Sequence, residues 1–209
     1  MTAFITRCCK KLAEALFACC LAAFVATTAS ADIGMRDIRL VPFEEGGLVL
    51  SADFDLEFGQ RLEEAVNKGL ALHFVAEFEL TRPRWYWFDE KVVQASQTWR
   101  LTYHALTRQY RLSTGVLHQS FSSLGEALGV LSHLRRWQVV EAGRVQPGES
   151  LIAGLRIYLD VSQLPKPFQV EALSNKDWAL AADWRRWRFV VPETGAGEKG
   201  REAKGGEAK

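Results

Sequence analysis

Apolar and polar residues alternate with a period of two along much of the chain. From Ala71 to Leu80 every even position is apolar, and His73, Glu77 and Glu79 lie between them. The same alternation recurs in residues 48–58, 92–103, 109–113, 151–159 and 184–191. Successive side chains of a strand point to opposite faces, so each segment predicts a strand with one buried face. We therefore expect a mainly β fold with minor α content, an antiparallel sandwich-like domain of about seven or eight strands.

Two segments follow a helical period instead. Leu62, Ala65, Val66 and Leu70 predict a short amphipathic helix between Gly59 and Gly69. Ser123 and Glu126 form a capping box ahead of an apolar stripe that reaches Leu134, with Arg135 and Arg136 suited to the helix end. The alternative architecture is an α+β fold in which one antiparallel sheet carries both helices on one face. The prolines of residues 164–168 predict an extended segment.

Residues 1–31 have the layout of a secretory signal peptide. A basic start is followed by an apolar run from Leu12 to Val25 and by Ala29-Ser30-Ala31 at the cleavage position. We expect a mature chain that begins at Asp32, with a single β-rich domain over 32–191 and a disordered Gly/Glu/Ala/Lys tail over 192–209. The alternative is a retained anchor, so that the protein would meet a membrane only through an uncleaved signal. The expected location is the periplasm.

Composition narrows the range of functions. All four cysteines lie in the predicted signal peptide, which leaves the mature chain without a disulfide, thiolate metal site or cysteine nucleophile. Cleavage removes three of the 26 basic and one of the 25 acidic residues, which leaves a net charge of −1. That balance gives no reason to expect nucleic-acid binding.

The chain has no recognisable catalytic motif, and we expect no enzymatic activity, cofactor or metal. His73 and His104 could approach one another on neighbouring strands and join Glu77 in a metal site, although two surface histidines are the simpler interpretation. Asp53, Asp55 and Glu57 share one strand face, where they could bind Ca²⁺ or, more simply, face arginines on the next strand.

Two clusters combine aromatic rings with arginines and supply the candidate binding residues, which are Arg82, Arg84, Trp85, Tyr86, Trp87, Trp184 and Trp187. The first cluster occupies the connection between the two central strands, and the second lies near the end of the domain. Exposed rings of this kind would bind a protein or stack on a glycan. Alternatively, the rings cover the open ends of the sheet core with the arginines stacked on them. We expect Trp85 to be exposed and Trp87 to be buried.

Three segments resemble a known family. Phe74–Trp87, Leu164–Val170 and Trp178 are similar to domain-of-unknown-function family 4390, a set of exported proteobacterial proteins, and the resemblance covers about Ile33 to Val191. It implies an exported protein of a Gram-negative bacterium and brings no activity or cofactor. The resemblance also implies a gene neighbourhood that often includes a nitrogen-type sensor histidine kinase. We therefore expect a non-catalytic module that binds an envelope protein, and the alternative is a cell-wall glycan binder or hydrolase.

Overall fold

The structure is a computed structural model that describes residues 33–43, 47–86, 88–175, 178 and 180–193. The chain divides into two units after Ser30, and all of the described residues belong to the second unit. The predicted signal peptide, Trp87 and residues 194–209 of the predicted tail lie outside the described residues.

Within the described part, nine strands form two antiparallel sheets. The smaller sheet has the order β1-β2-β7, from β1 (Gly34–Pro42), β2 (Leu48–Asp55) and β7 (His133–Val140). The larger sheet has the order β6-β5-β4-β3-β8-β9, from β3 (Leu72–Arg82), β4 (Glu90–His104), β5 (Gln109–Thr114), β6 (Leu117–Phe121), β8 (Ser150–Leu159) and β9 (Arg185–Val190). This arrangement confirms the prediction of a mainly β, antiparallel, sandwich-like domain.

The core draws on the apolar faces of both sheets. Leu50 and Phe54 of β2 belong to the same buried cluster as Phe74 and Phe78 of β3 and Leu155 of β8. The inward row of β3 lies next to that of β8, with Phe78 opposite Leu155. The alternation seen in the sequence therefore marks the residues that hold the sandwich together, because burial of apolar surface is the main favourable term in folding.

In the part of the chain that the structure describes, three α-helices lie among these strands, one more than the sequence predicts. They are α1 (Gln60–Asn67), α2 (Leu124–Leu131) and α3 (Lys166–Ser174), and a 3₁₀ helix spans Val161–Gln163. The prediction of an extended segment over 164–168 was wrong beyond Pro165. Pro165 is the N-cap of α3 and Pro167 lies in its first turn, where a helix does not use the backbone N–H that proline lacks.

Helix α2 begins as predicted but ends early. The Ser123 hydroxyl accepts a hydrogen bond from the backbone N–H of Glu126, which caps the helix. The chain leaves the helix after Leu131, so Arg135 and Arg136 belong to strand β7 and not to the helix end. Arg135 instead forms an ion pair with Asp53 at 2.6 Å, and Arg36 pairs with Asp55. The acidic row of β2 therefore faces arginines on both neighbouring strands. No helix in the described residues is long and apolar enough to cross a membrane.

Candidate functional site

Strands β3 and β4 form a long hairpin whose connection carries the first aromatic cluster. The two strands pair from Leu72 opposite Leu101 to Arg82 opposite Glu90, so the connection extends from one end of the larger sheet. We call residues 83–89 the aromatic loop. Pro83 at its start cannot donate a ladder hydrogen bond, which favours the end of the strand at this point.

Ion pairs hold the base of the aromatic loop. The Arg82 guanidinium donates from Nη1 to Glu90 Oε2 at 2.8 Å and from Nε to Glu149 Oε1 at 2.5 Å. Arg84 also donates to Glu90, and its backbone N–H donates to Asp89 Oδ1 at 3.3 Å. Both arginines predicted as binding residues are therefore engaged by carboxylates at the base.

These pairs shift the ionisation of the groups involved. Hydrogen bonds from Arg82 and Arg84 lower the pKa of Glu90, and the bond from Arg82 lowers the pKa of Glu149. The hydrogen bonds that Arg82 donates to Glu149 and, to a smaller extent, to Glu90 raise the pKa of Arg82. A hydrogen bond to the charged form favours that form, so Arg82, Glu90 and Glu149 are all charged near neutral pH.

The three rings of the aromatic loop that the structure describes point into solvent. Trp85 is 94% exposed, Phe88 84% and Tyr86 65%. The Trp85 and Tyr86 rings contact each other edge-on, with centroids 5.2 Å apart and an interplanar angle of 72°. A ring that is this exposed does not cover a core, so the alternative of core-closing rings does not describe Trp85, Tyr86 and Phe88. Trp87, which was expected to be buried, lies outside the described residues.

The second aromatic cluster is built differently. Trp187 lies on β9 opposite Ala153, and its half-buried ring packs against the core. Trp184 is half-buried and lies beside Gly154 of β8, on the face of the larger sheet that carries Glu79 and Arg156. Its ring lies over the Arg156 and Arg186 guanidiniums, at 4.8 and 5.3 Å from its centroid. In this cluster Trp187 packs against the core and arginine stacks on Trp184, but Trp184 itself does not belong to the core cluster.

Arg156 is the centre of a network that the sequence did not indicate. Its guanidinium lies 4.8 Å from the ring centroids of both Tyr158 and Trp184 and donates to Glu77 Oε2 from Nε at 2.7 Å. The Tyr158 hydroxyl donates to Glu77 Oε1 at 2.9 Å. Burial and this bond to a carboxylate raise the pKa of Tyr158. Glu77 lies five positions before Arg82 on β3, so Trp184 and the aromatic loop occupy separate parts of the sheet surface.

The histidine hypothesis finds no support in the strand register. His73 lies opposite Arg100, while His104 lies opposite Gln109 near the far end of β4. Glu77 is already bound by Arg156 and Tyr158. Burial and the neighbouring Arg100 lower the pKa of His73. Among the described residues, no group of three or more acidic, histidine or cysteine side chains is arranged to hold a metal ion.

Comparison with known proteins assigns the family. The family model described as "Domain of unknown function (DUF4390)" matches residues 30–188. The match covers well over half of the chain, so the protein belongs to this family, as the resemblance indicated. No curated protein and no solved structure matches the chain.

Proposed function

We propose that this protein is a non-catalytic binding module of the bacterial envelope that recognises another protein through the aromatic loop. The observation that carries the proposal is the exposure of Trp85, Tyr86 and Phe88 on a loop whose base is held by ion pairs. Exposed aromatic rings contribute little to folding and leave apolar surface in water. A binding partner that covers these rings would remove that unfavourable exposure.

The composition of the loop matches that of protein-binding surfaces. Tryptophan, tyrosine and arginine are the residues most enriched among those that dominate binding energy. The network around Arg82 and Glu90 also supports the proposal, because a loop that is ordered before binding loses less conformational entropy when the partner arrives.

The expected setting of this activity comes from the predicted signal peptide and from the family resemblance. Export would bring the domain into the periplasm of a Gram-negative bacterium. The sensory region of a membrane sensor kinase is then a reasonable class of partner, since genes of similar proteins often neighbour such a kinase.

A cell-wall glycan is the alternative ligand. The Trp85 ring is exposed enough to stack on a sugar. Hydrolysis of a glycan would require a carboxylic acid with a raised pKa beside the bound sugar. Two carboxylates at the loop base have lowered pKa values: Arg82 and Arg84 lower the pKa of Glu90, and Arg82 lowers the pKa of Glu149. This chemistry favours binding over hydrolysis at the aromatic loop.

Chemical crosslinking in cells of the native host, followed by affinity purification, tests the proposal. The comparison uses the wild-type protein, Trp85→Ala and the matched control Leu106→Ala, which removes an equally exposed apolar side chain from the β4–β5 turn at the other end of the hairpin. We expect a protein recovered with wild type and Leu106→Ala but reduced at least about tenfold with Trp85→Ala, the loss of one dominant contact. Equal recovery with Trp85→Ala would contradict the proposal.

Cosedimentation with purified peptidoglycan distinguishes the alternative. The proposal expects wild type and Trp85→Ala to remain equally in the supernatant. Pelleting of wild type that is lost in Trp85→Ala would assign the loop to glycan and not to protein.

A further inference from the structure

Strand β4 is paired on both edges over only part of its length. Its first edge pairs with β3 from Glu90 to Leu101. Its second edge pairs with β5 only from Trp99 to His104. Over the nine residues Glu90–Thr98, none of the described strands pairs with this second edge. An unpaired edge presents a row of backbone N–H and C=O groups that can bind another extended chain.

A second free edge lies across a cleft from the first. Strand β7 pairs with β2 on one side, and no described strand pairs with its other side. A cleft of about 420 Å³ separates residues 92–95 of β4 from residues 138–140 of β7, and Glu141 and Arg144 complete its lining. An unpaired edge of the larger sheet, on β4, lies on one side of this cleft, and an unpaired edge of the smaller sheet, on β7, lies on the other side.

Exposed apolar side chains flank the free edge of β4 at both ends. The aromatic loop immediately precedes Glu90. At the other end Trp99 lies opposite Thr114, so the turn that follows β5 lies beside the last free residue of β4. This turn carries Val116, 96% exposed, and the next strand opens with Leu117, 73% exposed. The free edge is therefore bounded by two apolar contact points.

We propose that an extended segment of the partner protein adds to the free edge of β4 as a new strand, which passes the cleft between β4 and β7 at residues 92–95. This inference rests on the proposed function, because it names the part of the partner that is recognised. A backbone in β conformation supplies alternating donors and acceptors at the spacing of the exposed edge, which a glycan does not. Nine residues of strand span about 30 Å.

The side chains of β4 define the chemistry of this segment. Val93 and Ala95 lie opposite the buried Leu80 and Phe78 and line the cleft together with Val139 of β7. Gln94, Ser96 and Thr98 are exposed on the other face. Residues that lie opposite each other on neighbouring strands share one face of the sheet. The partner segment therefore places small or medium apolar residues on the face of Val93 and Ala95 and alternates them with polar residues on the other face. An aromatic or long apolar residue near either end would reach the flanking contact points.

The test uses a phage-displayed library of random nonapeptides, selected on the protein expressed from its full coding sequence. We expect enrichment of alternating apolar and polar sequences. Two synthetic versions of a selected peptide are then made, one N-methylated on the odd-numbered backbone amides and the other on the even-numbered backbone amides. Loss of two or more ladder hydrogen bonds lowers affinity by about tenfold or more, so at least one set reduces binding by that factor. Failure to select any peptide, or affinity that falls less than tenfold with both sets, would overturn the inference.

A pair of proline variants locates the site on the protein. Successive N–H groups of a strand point to opposite edges, so one of Gln94→Pro and Ala95→Pro removes a bond to β3 and the other removes a donor from the free edge. The variant that keeps the wild-type melting temperature is the free-edge variant. We expect it to bind the selected peptide at least about tenfold more weakly. Unchanged binding by this variant would overturn the inference. If both variants have a lowered melting temperature, the affinities of the N-methylated peptides test the inference instead.

Two further results separate this inference from the proposed function. A peptide that depends on Trp85 but not on its own amides would support recognition by the loop and overturn strand addition. A peptide that depends on its amides but binds Trp85→Ala equally well would support strand addition and count against the loop. Sedimentation that shows a dimer lost in the free-edge proline variant would identify a second copy as the occupant and overturn the assignment to a different partner.

Discussion

Glu79 and Arg186 form an ion pair across an intervening strand. Glu79 lies on β3 and Arg186 on β9, and β8 runs between them with Gly154 opposite both residues. Arg186 Nη2 lies 3.1 Å from Glu79 Oε1, and Lys91 Nζ lies 3.8 Å from Glu79 Oε2. The pair can form because Gly154 has no side chain to separate the two groups. The ion pair also supplies an opposite charge to Glu79, a residue that is only 8% exposed.

Gly154→Val should destabilise the protein. A Cβ at this position would lie 3.1 Å from Glu79 Cγ and 3.2 Å from Trp184 Cε3, so a larger side chain must displace both. We expect the free energy of unfolding to fall by about 1–3 kcal/mol, as for other overpacked sites. Chemical denaturation measures it.

Gly129→Ala is the matched control for this prediction. Gly129 lies within helix α2, and a Cβ there would meet no atom within 4 Å. Alanine should raise the free energy of unfolding by about 0.5–1 kcal/mol. A Gly154→Val protein as stable as wild type would show that Gly154 is not needed for the ion pair.

Truncation of two tryptophans should have very different effects on stability. Trp85→Ala should change the melting temperature little, because the ring is 94% exposed. Trp178→Ala should cost about 3–5 kcal/mol, because Trp178 is 2% exposed and contacts Phe168 at 5.7 Å between centroids. Thermal melts of both variants provide the comparison. A large loss of stability in Trp85→Ala would contradict an exposed binding loop.

The ion pair of Arg82 with Glu149 should make stability depend on acid pH. The hydrogen bond from Arg82 lowers the pKa of Glu149 below its ordinary 4.5, so folding favours the ionised carboxylate. The resulting stabilisation is present above pH 4.5 and is lost as the pH falls through the lower, folded-state pKa. Chemical denaturation of wild type and Glu149→Gln between about pH 7 and pH 3 measures the free energy of unfolding of each protein. The difference between the two free energies should become smaller as the pH is lowered. A difference that does not change with pH would contradict this assignment.

Alternation in the sequence was enough to predict the central strands. The prediction that β3 and β4 are antiparallel neighbours is confirmed by their register. It could be made because every second residue of β3 is apolar and faces the core, and β4 repeats this pattern except at Gln97, which lies opposite Ala76. Strand β6 was not predicted. It lies at the edge of the larger sheet, where Leu117, His118 and Gln119 are all exposed, so no buried face produces an alternating pattern.

The candidate site was only partly predictable. The aromatic loop could be identified from its composition, but the sequence did not indicate that its arginines pair with Glu90 and Glu149. Glu149 lies 67 positions from Arg82 and approaches it only because β8 pairs with β3. The free edge of β4 was equally hidden, since it depends on where β5 stops pairing and not on any feature of residues 90–98.

Processing of the N-terminal segment is a separate prediction. Export with cleavage after Ala31 should give a mature protein that begins at Asp32. Intact-mass measurement of the protein from the host envelope checks this. A retained N-terminus, or an acyl group on Cys19, would contradict the predicted processing.

Photo-crosslinking in living cells tests the central claim most directly. Benzoylphenylalanine is placed at position 85 in the aromatic loop or, as the control, at position 106 in the exposed turn after β4. The measured quantity is the yield of a covalent adduct with a second protein after irradiation. Our account predicts an adduct with one defined protein at position 85 and none at position 106. No adduct at position 85, or equal yields at both positions, would contradict it.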